Sequence, residues 1–304
     1  MDERSRIQVT MLPLYPQSTP PSLSLRPALH PLFKQVQEGI SEFTFANLYL
    51  FRRTHQYTLS MLSDGTVVIL GRDDRVSFFM LPFGLPQQGL LDRLFTDHLL
   101  MKSATVLQAE MLHSLGYPVR EDRDNFDYLY QRQDLAALAG RNYHKKRNLV
   151  KTFVQSYPYA ALPLREEYRG EALSVLDAWR RETGQTGDYE AAREGLEKME
   201  ELQLCGGLYR VAERPVAYVL GEESADGTCF VIHFEKALAG FKGLYQFINQ
   251  SFAGVLPEIY TTINREQDLG DQGLRQAKLS YRPSGFIKKF LARAQDSTFP
   301  DSAR

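Results

Sequence analysis

The stretch on which the fold turns runs Cys229-Phe230-Val231-Ile232-His233-Phe234, then Ala239-Gly240-Phe241-Lys242-Gly243, then Tyr245 to Phe252 and Glu258 to Ile263. Its first run is apolar, β-branched and aromatic, the composition of a strand. The second is a glycine-bearing loop, the third reads as a helix, and the fourth reads as another strand. Upstream lie Leu208-Val211, a turn at Glu213-Arg214-Pro215, Val216-Leu220, and a polar loop with Asp226-Gly227. The first half of the chain carries the same order. Tyr57-Leu62 and Thr66-Leu70 are strands joined at the hairpin turn Ser63-Asp64-Gly65, Val76-Leu81 is a third strand, and Gly89-Met101 places Leu90, Leu91, Leu94, Phe95 and Leu99 at helical spacing. Val67 set against Val216 gives an offset of about 150 residues, half of the 304. The expected fold class is therefore α+β, as two similar domains, each a mixed, mostly antiparallel sheet flanked by helices.

The order of strand, glycine loop, helix and strand resembles the GNAT acyltransferase fold, whose helix N-terminus offers free N–H groups to a pyrophosphate. Two such halves would make a tandem GNAT protein. Acetyl-CoA enzymes of that fold tend toward Gln or Arg, two residues, Gly, one residue, Gly or Ala. Here Phe241 and Lys242 separate Gly240 from Gly243, so an acetyl-CoA cradle is expected to be misshapen or blocked.

Working outward, Leu32-Phe33-Val36 suggests a short helix, Phe43-Phe51 is apolar, and Phe126-Tyr130 reads as a strand of the first half. Six prolines in the first 31 residues argue against a helix or central strand, so residues 1–28 are read as an arm that packs extended or stays mobile. The expected division is arm 1–28, N-terminal domain 29–133, linking basic helix 134–160 and C-terminal domain 161–304.

Thirty-six Lys and Arg against thirty-seven Asp and Glu leave a net charge of -1, so any affinity for nucleic acid or an anionic membrane must be local. No apolar run approaches the ~20 residues of a membrane-spanning helix, and no signal peptide is evident. A cytoplasmic protein is expected. Cys205 and Cys229 stand apart and read as buried small apolar residues. No Ser-His-Asp order, Walker loop, His-Glu-x-x-His or cysteine-built zinc pattern occurs, and no metal site is expected.

Between Leu135 and Arg165 there is no acid, yet Arg141, Lys145, Lys146, Arg147 and Lys151 fall within eleven residues beside His144. Such charges repel unless something anionic is near. The apolar stripe through Leu138 or Ala139, Tyr143, Val150, Phe153 and Tyr157 has Lys146 and Arg147 in its middle, so at least one cation points toward an interior or a cleft. A structural ion pair with the acid-rich 166–201 segment would satisfy it, and so would a phosphate held by Arg141, Lys145 and Arg147, with Tyr143 and Asn148 as further donors. A second cluster runs from Asn264 through Asp268 to Tyr281. Asp268 is expected to cap a helix that brings Arg275 and Lys278 onto one face, a layout suited to a carboxylate or phosphate, or simply a structural loop. Period two places His233 and Glu235 on one face of their strand, about 6–7 Å apart. They are read as general base and orienter, or as a polar sheet edge.

With those residues in view, the chain resembles the family of the phosphatidylglycerol lysyltransferase C-terminal domain. The likeness lies in Phe43-Thr44-Phe45-Ala46-Asn47-Leu48-Tyr49, Asn125-Phe126-Asp127-Tyr128-Leu129-Tyr130, Leu138 to Asn148 with its Lys145-Lys146-Arg147-Asn148, and Asn264-Arg265-Glu266-Gln267-Asp268-Leu269-Gly270 through Lys278-Leu279-Ser280-Tyr281-Arg282-Pro283. The resemblance implies a tandem GNAT fold and transfer of an aminoacyl group from its tRNA ester, as lipid lysyltransferases and Fem-type peptidyltransferases perform. The expected activity is acyl or aminoacyl transfer from an activated ester to an amine or hydroxyl. Catalytic candidates are His233, Glu235 and Lys146. Substrate-binding candidates are Arg141, Tyr143, Lys145, Arg147 and Asn148, with Asn264, Asp268, Arg275, Lys278 and Tyr281. Aminoacyl-tRNA is the implied donor, and peripheral membrane contact stays open. The alternatives are an acetyl-CoA-dependent N-acetyltransferase and a non-enzymatic anion-binding protein.

Overall fold

The turn at Asp64-Gly65 shows how local chemistry starts the first sheet. Asp64 Oδ1 accepts from the Thr66 amide at 3.0 Å, and Gly65 takes the positive φ of 87° that closes the hairpin. The computed structural model describes residues 11–299. Its strands among these residues are β1 (Thr58–Met61), β2 (Val67–Asp73), β3 (Val76–Met80), β4 (Leu100–Ala104), β5 (Val119–Glu121), β6 (Asp127–Gln131), β7 (Tyr159–Pro163), β8 (Cys205–Val211), β9 (Arg214–Ser224), β10 (Cys229–Ala237), β11 (Thr262–Asn264), β12 (Gly285–Ile287) and β13 (Phe290–Ala292).

Two units result: residues 11–127 with 267–270 and 287–299, and residues 128–266 with 271–286. The first has sheet order β1-β2-β3-β4-β13-β5, and the second β12-β6-β11-β10-β9-β8-β7. In the first, β3 and β4 are parallel, joined through the helix Gln88–Asp97; in the second, β10 and β11 are parallel, joined through Leu244–Val255. The other pairings with an established direction are antiparallel. The order of elements thus repeats, as two mixed, mostly antiparallel sheets flanked by helices.

The division departs from the one read in the sequence. The Phe126-Tyr130 strand is expected in the first half, yet β6 pairs antiparallel with β11 in the second sheet, while β13 from the chain's end pairs with β4 and β5 in the first. Each sheet takes a strand from the other half of the sequence, which no local pattern reveals. Residues 134–160 are not a linker: the helix His144–Ser156 belongs to the second unit, because Val150 and Phe153 enter its core beside Phe247 and Ile248. Fully burying a ring such as Phe153 contributes about 1.5–3 kcal/mol.

Residues 1–10 of the expected arm lie outside the described residues. From residue 11 the arm packs extended, bridging Leu14 to Met61 and Thr19 to Leu59. A helix, Arg26–Lys34, nevertheless forms in the proline-rich stretch: Pro27 falls in its first turn, where an N–H has no helical partner to lose, while Pro31 lies inside the helix. Met101, read as the end of a helix, is instead in β4. Cys229 is buried, but Cys205 is exposed at the start of β8.

Candidate functional site

In the second unit, the helix Arg132–Ala137 ends with Leu138 in the left-handed region (φ 46°), and Gly140 (φ 80°) turns the chain into Arg141–Tyr143 and the helix His144–Ser156. That helix has no acidic residue in its first turn and no side-chain cap. After His144 it carries Lys145, Lys146 and Arg147, cations at the positive end of its dipole. Each such placement costs about 0.3–1 kcal/mol unless an anion answers it. Proteins commonly break local rules of this kind at functional sites.

A cavity of about 820 Å³ opens here, lined by Arg141, Asn142, His144, Lys145, Lys146, Arg147, Leu149, Ser280 and Arg282, with no carboxylate in its wall. Arg141, Lys145 and Arg282 make no ion pair among the described residues, and all three are exposed. Lys146 is half-buried. Its Nζ donates to Ser280 Oγ at 2.7 Å and lies 3.9 Å from the centre of the Tyr281 ring. Burial, and then the neighbouring Arg265, hold its ammonium below the ordinary lysine range. Arg147 donates to the carbonyls of Leu138 and, at 2.6 Å, Gly140, fixing the turn that shapes the wall.

Of the other expected binding residues, Tyr143 is buried and donates to the Tyr281 carbonyl at 3.0 Å, and the exposed Asn148 faces His144 Nε2 at 3.4 Å. Tyr281 is buried, its phenol pushed up to about 12 by that burial. Lys278 is committed elsewhere: its ammonium donates to the carbonyls of Arg265 at 2.6 Å and Glu266 at 3.0 Å. Arg275, one turn earlier, does not line the cavity. Asn264 accepts from the Glu266 amide at 2.7 Å, holding a turn. Asp268, expected as a cap, is buried in the first unit between Arg123 at 3.2 Å and the Gly270 amide at 2.9 Å. The cap is Asp271, which accepts from the Leu274 amide.

The pairing of His233 with Glu235 does not form. A bulge interrupts β10 between Ile232 and Phe234, so period two fails at His233. The imidazole is buried between Glu266, 2.7 Å from Nδ1, and Glu222, 3.0 Å from Nε2. Burial opposes its charge, but the two carboxylates outweigh burial and raise its pKa from 6.5 to about 10. It is an imidazolium at neutral pH and has no lone pair with which to act as a base. Past the bulge, Glu235 turns to Asn249 on the Leu244–Val255 helix, at 3.0 Å, and to Arg265 at 3.3 Å.

The glycine loop is also given over to packing. A Cβ on Gly243 (φ 88°) would fall 2.1 Å from the Leu149 carbonyl, and Phe241 meets the Tyr157 ring at 5.3 Å. Gly243 is needed so that two helices can approach, and an open pyrophosphate cradle is not required to explain it. Arg282 and Ser280 are cavity residues that sequence reasoning missed. Ser280 lies 134 positions from Lys146, which it meets, and no local pattern announces the encounter.

The doubled crossover is a tandem GNAT-like fold. Within it, residues 33–293 match the family described as phosphatidylglycerol lysyltransferase, C-terminal, and the chain belongs to that family. A conserved protein of unknown function from Bacteroides thetaiotaomicron is 29% identical, with a TM-score of 0.82 over 90% of this chain and 98% of its own. L-PGS from Bacillus licheniformis is 15% identical, with a TM-score of 0.60 over 89% and 92%, and FemX is 9% identical, with 0.58 over 92% and 98%; these two likenesses are of fold. An uncharacterized protein of Mycoplasmoides gallisepticum is 22% identical over 182 residues, and the match spans 58% of either chain. No helix among the described residues is long and apolar enough to cross a membrane.

Proposed function

We propose that this protein transfers an aminoacyl group from its tRNA ester to an amine or hydroxyl, holding the donor by its phosphates in the basic cavity of the second unit. The observation that carries this reading is a wall of five Lys and Arg side chains without a carboxylate. Arg offers forked donors matched to phosphate oxygens, and Lys146 and Arg282 enter from separate segments, so an anion between them would be held from two sides. In the transfer, the acceptor's nitrogen or oxygen bonds to the ester carbonyl carbon, the bond from that carbon to the ribose oxygen breaks, and the acceptor's proton leaves with the ribose hydroxyl. An activated ester needs little acid–base help. Positioning, and positive charge near the developing oxyanion, supply much of the rate. Membership in a lysyltransferase family supports the aminoacyl donor, and the departure of the loop at residues 240–243 from the acetyl-CoA pattern weighs against coenzyme A.

A thermal-shift series with coenzyme A, acetyl-CoA, nucleotides and aminoacyl-tRNA tests the reading, since a ligand that binds only the folded state raises its melting temperature. Saturable stabilisation by aminoacyl-tRNA, with none from acetyl-CoA, is expected. Stabilisation by micromolar acetyl-CoA that is lost in Gly240→Val would replace it with an N-acetyltransferase, and binding without transfer would leave an anion-binding protein.

A further inference from the structure

We infer that Lys146 is a self-acylation site, an amine in the wall of the basic cavity that takes an acyl group from phosphate-activated donors and thereby removes one of the cavity's charges. The inference rests on the reading of that cavity as a holder of phosphate-bearing acyl donors.

Three features single out this lysine. No carboxylate pairs with Lys146 among the described residues; its polar partner is Ser280 Oγ at 2.7 Å. That hydroxyl already donates its own hydrogen to the Ala277 carbonyl at 2.6 Å, so it can only accept from the lysine. A neutral amine keeps this hydrogen bond while its lone pair stays free. Second, the Tyr281 ring under the ammonium is shared with the Arg265 guanidinium, 5.3 Å from the same ring centre, so a second cation sits close to the first. Glu235 fixes that guanidinium in place, with 3.3 Å to each of its oxygens. Half-burial and this neighbour both disfavour the charged form of Lys146. Third, Lys145 is a neighbouring lysine of the same wall that is exposed, which makes it an internal control. Desolvated lysines beside another cation are more nucleophilic than exposed ones.

The step balances with an acyl phosphate as co-reactant. The Lys146 nitrogen bonds to the carbonyl carbon, the carbon–oxygen bond to phosphate breaks, and the amine's proton leaves with the phosphate. The product is a stable amide, so the result is a modification of the cavity and not an intermediate of the transfer.

Acetyl phosphate is the probe, used on the full chain at neutral pH, with acetylation at each lysine followed in time by peptide mass spectrometry. Lys146 is expected to be modified several-fold faster than Lys145 and Lys151. Pyrophosphate should suppress the reaction at Lys146 selectively, and Lys146→Arg should abolish the fast phase. Modification of Lys146 no faster than of Lys145 overturns the inference. Failure of the underlying reading shows separately, as absence of heat when pyrophosphate is titrated calorimetrically into the unmodified chain.

Discussion

Two regions of the second unit hold positive charge in opposite ways. Around His233 the charge is answered within the protein: Glu222 and Glu266 bracket the imidazole at 3.0 and 2.7 Å, out of water. Around the start of the His144–Ser156 helix it is not answered: the cavity wall carries cations and no acid. The first arrangement ties β10 to its neighbours and leaves no capacity for chemistry. The second stores an unmet demand for an anion. Charge alone therefore does not mark a site; on the proposed reading, a concave wall of cations without a carboxylate does.

The sharpest way to break this contrast is at its closed end. Glu222→Ala leaves the His233 cation with one carboxylate less in a buried setting and should cost about 3–5 kcal/mol of stability in denaturant unfolding. A loss under about 1 kcal/mol would mean that the imidazole is not charged. The same pair makes a pH prediction. Because folding raises the His233 pKa from 6.5 to about 10, the folded chain holds a proton that the unfolded chain gives up in that window. Its stabilisation should be complete below pH 6.5 and fall as the pH rises through 10, with a slope approaching about 1.4 kcal/mol per pH unit, whereas Glu222→Ala should flatten the slope. A parent whose stability is level across that range would contradict the assignment.

Where the Leu244–Val255 helix starts against the His144–Ser156 helix, Gly243→Ala must place a methyl 2.1 Å from the Leu149 carbonyl, whereas the space beside Gly240, also at positive φ, is open. Thermal unfolding should show the Gly243 variant as the worse of the two, by about 1–3 kcal/mol. At the open end, Lys146→Ala with Arg282→Ala should weaken pyrophosphate binding at least tenfold, about 1.4 kcal/mol, and change stability by no more than about 0.5 kcal/mol. Unfolding of that double variant would make the cations structural. The smallest effect belongs to Arg275→Ala, which should leave pyrophosphate affinity within calorimetric error because Arg275 does not line the cavity.

Much of the fold is legible in the sequence. The offset between the hairpin at Ser63-Asp64-Gly65 and the one at Glu213-Arg214-Pro215 announces the doubled architecture, because turn chemistry and period are local properties. The acid-free run around Lys146 marks the cavity for the same reason. What cannot be read is non-local or irregular. The exchange of β6 and β13 between halves depends on pairing across more than a hundred residues. The bulge at His233 breaks the period that would join it to Glu235. Lys278, expected on one helical face with Arg275 to meet an anion, is instead buried and donates to the carbonyls of Arg265 and Glu266, the latter at positive φ, a contact no helical wheel shows.

That the unanswered cations hold a phosphate-bearing aminoacyl donor is tested most directly by filter binding of aminoacyl-tRNA to the parent chain and to the Lys146→Ala/Arg282→Ala variant, over a range of salt. Saturable, salt-sensitive binding by the parent is expected, weakening at least tenfold in the variant, with a salt slope shallower by about 0.7–0.9 for each phosphate that the variant no longer neutralises. Equal affinity and equal salt slope for the two proteins would contradict it.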